Sequence, residues 1–470
     1  MNARIVFVLV GLVAVTVACT GSSDPTTTTV PATTTSTTAP PVRTTTTTTV
    51  AVPTVAPAGV VFTGGDVVTM DPEFGIVQAM AISGDRIVAV GSQAEIEPYI
   101  GDETIVIDLE GRAVGPGFVD PHTHILTDWS DFAEGQRVAL RHGITSLGDA
   151  SVEPDAYDQL VTAAQSDELR IRTSMYLGKT DPCGVPSDDW YLAHPAGSEP
   201  GNRLRVQGIK IFDDGGVCGQ VAGSETFVDG YEVGAPYHSV ETLVEWINTA
   251  DAAGYQVVVH AQGDLAIRGA QDAYEQVLGG NDNPLRHRID HNSIPTPDLL
   301  PRFTELNLVP VVFALGSSCS PDAPWTEFYR RNGDRPGDMV RANPDIRVAW
   351  HGDDPWVSPV SPILDMYSLV TRADFAEDGS ICPAPDWFAT GGVTIEQAYP
   401  MVTLNGAYAL GRDDEVGSLT PGKHADLVVM TDNPLTVPID ELPSVAVVST
   451  MIGGRTEYCA DGAERWCAEA

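Results

Sequence analysis

The chain has 470 residues, with 64 acidic against 26 basic side chains and a formal net charge of -38. That length can bury a large core and more than one domain. So acidic a surface repels nucleic acid and anionic headgroups, which argues against both as partners and leaves a small-molecule substrate as the expected one.

Arg4 precedes an apolar run, Ile5 to Ala18. The run is shorter than the roughly 20 residues a membrane span needs and fits the core of a secretory signal. It ends at Thr16-Val17-Ala18-Cys19, which resembles a bacterial lipoprotein processing site, with Thr16 where Leu is usual. Residues 1–19 are therefore read as a signal peptide. The expected location is extracytoplasmic: the chain is either lipid-anchored to the cell membrane through Cys19 or cleaved and secreted. Residues 20–58 are dominated by Thr, Pro, Ala and Val, cannot bury a core, and read as a disordered linker. As a coil it spans on the order of 30 Å. Beyond Cys19 stand Cys183, Cys218, Cys319, Cys382, Cys459 and Cys467, an even set with no C-x-x-C spacing. Disulfides are expected rather than a cysteine metal site, with Cys459 to Cys467 as the local pairing.

From Val60 the pattern turns to short β-type runs: Val60–Phe62, Asp66–Met70, Ala79–Ile82, Arg86–Val90 and Thr104–Leu109, with Gly84-Asp85 and Gly91-Ser92 as hairpin turns. These predict a small antiparallel sheet over residues 59–114. Asp426–Met430 and Val445–Ile452, split from the tail by Gly453-Gly454, predict its second part over 411–458, with a cysteine-containing tail at 459–470. Both ends would build one β-sandwich around residues 115–410. In that centre, strand-like runs alternate with amphipathic stretches. The strands are Phe118–His124, Ser146–Ala150, Arg170–Tyr176, Val206–Phe212, Gln256–His260, Arg288–His291, Leu308–Phe313 and Arg347–Trp350; the stretches include Val240–Ala253 and Asp264–Leu278. The fold class is α/β, a (β/α)8 TIM barrel. A doubly wound sheet would want a Gly-rich phosphate loop after its first strand, and none follows this one.

The chemistry-bearing residues sit at strand ends. His122 and His124, two apart in an extended chain, project from one face and can share a metal. Lys210 lies inside an apolar strand, where an ammonium is costly unless partnered. It either pairs with Asp213 or Asp214, or carries a carbamate formed from carbon dioxide, whose two oxygens could bridge cations. His260 and His291 close two further strands. Asp353 and Asp354, after the last strand, compete as metal ligand and proton acceptor; either alone could be a cap or turn residue. Trp350, Trp356 and Asp149 are candidate pocket residues from their places at strand ends, with core packing the more expected role for the two tryptophans.

These residues resemble the amidohydrolase superfamily, in its family 3 branch similar to N-substituted formamide deformylase. The resemblance rests on Pro116–His124, Gly208–Phe212 with Asp214-Gly215, His260-Ala261-Gln262-Gly263-Asp264, Arg288–His291 and His351–Pro355, in the family's order, and on Gly417–Val429 at the return to the sandwich. It covers about residues 60–458. It implies cleavage of a C–N bond other than a peptide bond (an amide, formamide or cyclic amide) by hydroxide activated by one or two divalent metals, zinc by expectation. It also implies roles: His122 and His124 on the more buried metal, carbamylated Lys210 bridging to a second on His260 and His291, and Asp353 as ligand and general base. The chain departs from the family at His351-Gly352, where Gly-Ser is usual. That departure keeps Asp354 open as the base, and the histidine is expected to reshape the pocket or touch substrate. The rivals are a mononuclear deaminase or lactonase on the same fold, a non-catalytic ligand-binding lipoprotein and a peptidase. Such deaminases carry a glutamate three residues after the fifth-strand histidine, where this chain has Gly263.

Overall fold

The computed structural model describes residues 55–468, apart from 216–217, 225–231, 281, 315–318, 320–332, 334, 357–359 and 377. The signal, Cys19 and nearly all of the linker lie outside the described residues. Among those described, no helix is long and apolar enough to cross a membrane.

The first seven strands are β1 (Val60–Thr63), β2 (Asp66–Val68), β3 (Ile76–Val77), β4 (Ala79–Ser83), β5 (Arg86–Gly91), β6 (Ile105–Asp108) and β7 (Ala113–Pro116). Eight more follow: β8 (Phe118–Thr123), β9 (Ile144–Val152), β10 (Arg172–Gly178), β11 (Leu204–Phe212), β12 (Gln256–Ala261), β13 (Arg288–His291), β14 (Val309–Phe313) and β15 (Ala349–His351). After a small hairpin, β16 (Asp374–Phe375) with β17 (Ile381–Cys382), the chain ends in β18 (Leu427–Met430), β19 (Val447–Ile452) and β20 (Arg455–Cys459).

Strands β8 to β15 form one parallel sheet in sequential order. Its ends meet where the Asp353 amide donates to the His122 carbonyl at 3.3 Å and the His124 amide donates to the Asp354 carbonyl at 2.7 Å. All eight expected barrel strands are present, with ends shifted by a residue or two, and the helices Val240–Ala252 and Asp264–Leu278 lie where their periodicity predicts. The fold is a (β/α)8 barrel with an additional β domain.

Side-chain alternation explains how the barrel points its chemistry inward. In β12, Val257, Val259 and Ala261 pack into the core beneath the helices, so Val258 and His260 face the barrel interior. In β11, Ile209 and Ile211 join the same outer core and Lys210 turns inward, paired in register with Val258. A second core fills the sandwich, with Phe62, Met80, Leu427 and Met451 at its centre.

Both chain ends share the six-stranded sheet β20-β19-β18-β7-β2-β3, while β5-β4-β1-β6 comes wholly from the first end. The expected all-antiparallel pairing needs correcting: β1 runs parallel to β6 and β2 parallel to β7. Gly91-Ser92 is not a hairpin turn. Ser92 instead starts a short helix, Gln93–Ile96, its amide donating to Glu95 Oε2 at 2.9 Å in a capping box. Strand β7 straddles the expected boundary between sandwich and barrel, and β20 carries Cys459 of the tail into the sheet.

Candidate metal centre

The C-terminal end of the barrel gathers the residues singled out by sequence. His122 and His124 leave β8 on one face, and Asp353 Oδ1 lies 3.3 Å from His122 Nε2 and 3.6 Å from His124 Nε2. Lys210 Nζ is 3.1 Å from His122 Nε2. His260 and His291 stand with ring centroids 3.9 Å apart, and His291 lies 4.8 Å from His122 by the same measure. The five basic side chains are buried, and Asp353 joins their cluster partly exposed. His122, His124 and Asp353 have ligand atoms close enough to hold one ion. Both His291 (φ 77°) and Asp353 (φ 60°) adopt left-handed backbone, which non-glycine residues seldom do and which clusters at functional positions.

The electrostatics favour a cation. Neither nitrogen of His260 nor Nε2 of His291 has a hydrogen-bond partner among the described residues, although both rings are buried. Buried polar atoms are ordinarily satisfied, so neutral imidazole nitrogens left free beside a carboxylate fit a metal ion that supplies the missing partner. Burial, reinforced by the Lys210 charge, holds His122 and His260 well below the usual histidine range, keeping them in the neutral form that binds metal. Burial opposes ionisation of Asp353, yet His124, His351 and Lys210 outweigh it and hold the carboxyl down to about 2. Burial also brings Lys210 down to about 8, with Asp290 and Asp353 acting against the shift.

The structure separates the two adjacent carboxylates. Asp353 faces the histidines, whereas Asp354 is buried away from them and is pushed up to about 8 by burial and by Asp353. Lys210 pairs with neither Asp213 nor Asp214. Asp213 accepts from the His238 amide, and Asp214 accepts from the amides of Ala222, Gln262 and Gly263.

Several contributors escaped the sequence reading. Asp290 Oδ2 lies 2.7 Å from His122 Nδ1, fixing that ring and leaving Nε2 for the centre. Arg288 Nε in turn stands 3.2 Å from Asp290 Oδ1, both groups fully buried. The signal was an Arg-x-Asp period of two inside a buried strand, visible but overshadowed by His291. Asp120 accepts from the amides of His122 and Gly352, clasping β8 to β15. Of the pocket candidates, Trp350 belongs to the core under the helices. Trp356 is exposed and donates to Asp128 Oδ2 at 3.0 Å, and Asp149 accepts from Thr127 Oγ1 at 2.7 Å, bracing the turn after His124. Disulfides Cys183–Cys218 and Cys319–Cys382 tie loops that follow barrel strands, and Cys459 pairs with Cys467 as expected.

Residues 130–458 match the amidohydrolase family profile. The chain belongs to the amidohydrolase family. It is a metal-dependent hydrolase. It is similar to the protein LONG AFTER FAR-RED 3 of Arabidopsis thaliana, at 24% identity over 86% of this chain and 92% of that one. Likeness extends to the N-substituted formamide deformylase of Arthrobacter pascens, at 26% identity over 79% of this chain and 70% of the relative. Among solved structures, a metal-dependent hydrolase from Pyrococcus horikoshii shares the fold with a TM-score of 0.66 at 18% identity, over 81% of this chain and 99% of that one. Gly263, three residues after His260, is held closely by the loop that follows β11. At Gly263 any side chain would run into the Ala222 carbonyl.

Proposed function

We propose that this amidohydrolase opens a formamide, simple amide or cyclic amide at a centre held by His122, His124, Lys210, His260, His291 and Asp353. The observation that carries the reading is the meeting of buried, unpartnered imidazole nitrogens, an inward lysine and an ionised aspartate at one barrel mouth. A divalent cation bound there, zinc in this proposal, would polarise the substrate carbonyl and make a water molecule more acidic.

The chain's own residues supply the rest. Asp353, ionised across the physiological range, accepts a proton at its carboxylate and returns it to the departing nitrogen. Asp290 holds His122 in one tautomer, so that Nε2 faces the centre. Lys210 is brought by burial toward its neutral amine, the form that adds carbon dioxide and releases a proton to leave a carbamate. In this proposal the carbamate replaces an ammonium beside His122 with an anionic bridge suited to two cations. The likeness to a formamide deformylase supports N-formyl amines as the first substrates to try. The three disulfides support an oxidising, extracytoplasmic location, with the chain secreted or anchored through Cys19.

The test is a release assay on N-formyl amines, N-acyl amines and cyclic amides, using zinc-loaded protein with and without bicarbonate. Formate, carboxylate or ring-opened product is expected from the wild type, with bicarbonate raising the rate and Lys210→Ala abolishing both effects. Full activity in Lys210→Ala would sink the carbamate bridge.

A further inference from the structure

His351 lies outside the six residues above, at the point where the chain departs from the family pattern. It ends β15, two residues before Asp353, with which it interacts electrostatically. Its ring is fully buried. It stacks on His122 with centroids 4.8 Å apart and planes 18° from parallel, and meets His291 edge-on at 4.6 Å. Phe313, its register partner on β14, closes another side at 4.8 Å. Neither ring nitrogen has a hydrogen-bond partner among the described residues. One ligand nitrogen each from His122, His291 and His351 lies within 4.8 Å of the other two.

A histidine kept in a core for packing normally has at least one ring nitrogen hydrogen-bonded. His351 has neither, and its ring lies against His122, Phe313 and His291, whose Nε2 also lacks a partner among the described residues. We propose that His351 is itself a metal ligand, sharing an ion with His122 and His291. This deepens the reading above and rests on a metal being held at the mouth. Three neutral imidazoles around one ion suit zinc with a position left open for substrate or water. They would also make retention of that ion less dependent on a carbamate at Lys210. The usual glycine at this position has no donor to offer, so the nitrogen-rich site would be peculiar to chains carrying a histidine here.

Two measurements test this. Zinc-loaded wild-type crystals, recorded at the zinc absorption edge, should show an anomalous peak about 2.0–2.1 Å from a ring nitrogen of His351 and from nitrogens of His122 and His291. A peak held by His122, His124 and Asp353, with His351 farther than about 3 Å, overturns the assignment of His351 alone. No peak anywhere in the barrel mouth overturns this assignment and the metal centre together. Chelator competition should show His351→Ala binding zinc at least about tenfold more weakly than wild type, with the metal-free thermal midpoint used to confirm folding. Unchanged zinc affinity in a folded His351→Ala protein contradicts the proposal.

Discussion

The two ends of the barrel treat their polar groups in opposite ways. At the foot, arginines from β10 and from the starts of other strand segments meet acids of the returning chain. Arg172 pairs with Asp426, Arg203 with Glu457, Arg205 with Glu415, and both Arg286 and Arg347 with Asp413. In a chain with only 26 basic residues, this concentration shows where cations matter for assembly. At the mouth, buried ring nitrogens of His260, His291 and His351 have no hydrogen-bond partner among the described residues. The foot is built to be stable as it stands, whereas the mouth is complete only with a metal and a substrate. That division is the usual one in such barrels.

Mutations at the two ends should therefore separate activity from stability. The largest effect on rate is expected from Asp353→Asn, which keeps the shape but removes the proposed proton acceptor. Its kcat/KM for the best amide should fall by about 10²–10⁴-fold with little change in thermal midpoint. Asp290→Asn should weaken metal binding by about 10–100-fold, read by chelator competition, because His122 loses the partner that orients it.

At the foot the pattern should invert. Arg172→Met leaves Asp426, whose side chain is 1% exposed, without its charge partner. Stability should drop by about 3–5 kcal/mol in denaturant titration, with kcat unchanged. A large loss of kcat in that variant would break the division between the ends.

Asp213 offers a smaller, pH-dependent test. Burial pushes its carboxyl from 3.8 up to about 8. The folded state therefore holds a proton that the unfolded state releases, so this contribution to stability is full at low pH and is lost as pH rises through that range. In Asp213→Asn the thermal midpoint should fall less between about pH 5 and about pH 8 than in the wild type. An equal or steeper fall would contradict the assignment. The smallest effect is expected on the outer surface, where removing Arg268 from its exposed pair with Asp298 should change stability by less than about 1 kcal/mol.

Much of the barrel was legible because buried parallel strands read as apolar, β-branched runs, as in Gln256-Val257-Val258-Val259, and because their functional residues fall at the ends. The sandwich was less so. Its strands are short, and whether β1 runs with or against β6 depends on contacts far along the chain that local pattern does not encode. At the centre, His122, His124, Lys210, His260 and His291 stand out as polar residues in apolar settings. Asp290 and Asp120 do not, since their work is to orient neighbours through hydrogen bonds across strands. Which of Asp353 and Asp354 faces the histidines needed the turn geometry, because adjacent residues of one type differ only in the direction they face. Trp350 packs in the core, as is expected first of a tryptophan in a strand: one residue's shift along a strand moves a side chain from barrel interior to outer core.

The central claim is that hydrolysis depends on metal held at the barrel mouth. The direct measurement is amide hydrolysis by protein stripped with a chelator, verified metal-free by elemental analysis, then titrated with zinc. Activity should vanish on stripping and return in proportion to one or two zinc ions bound per chain. Undiminished hydrolysis by verified metal-free protein would contradict the account.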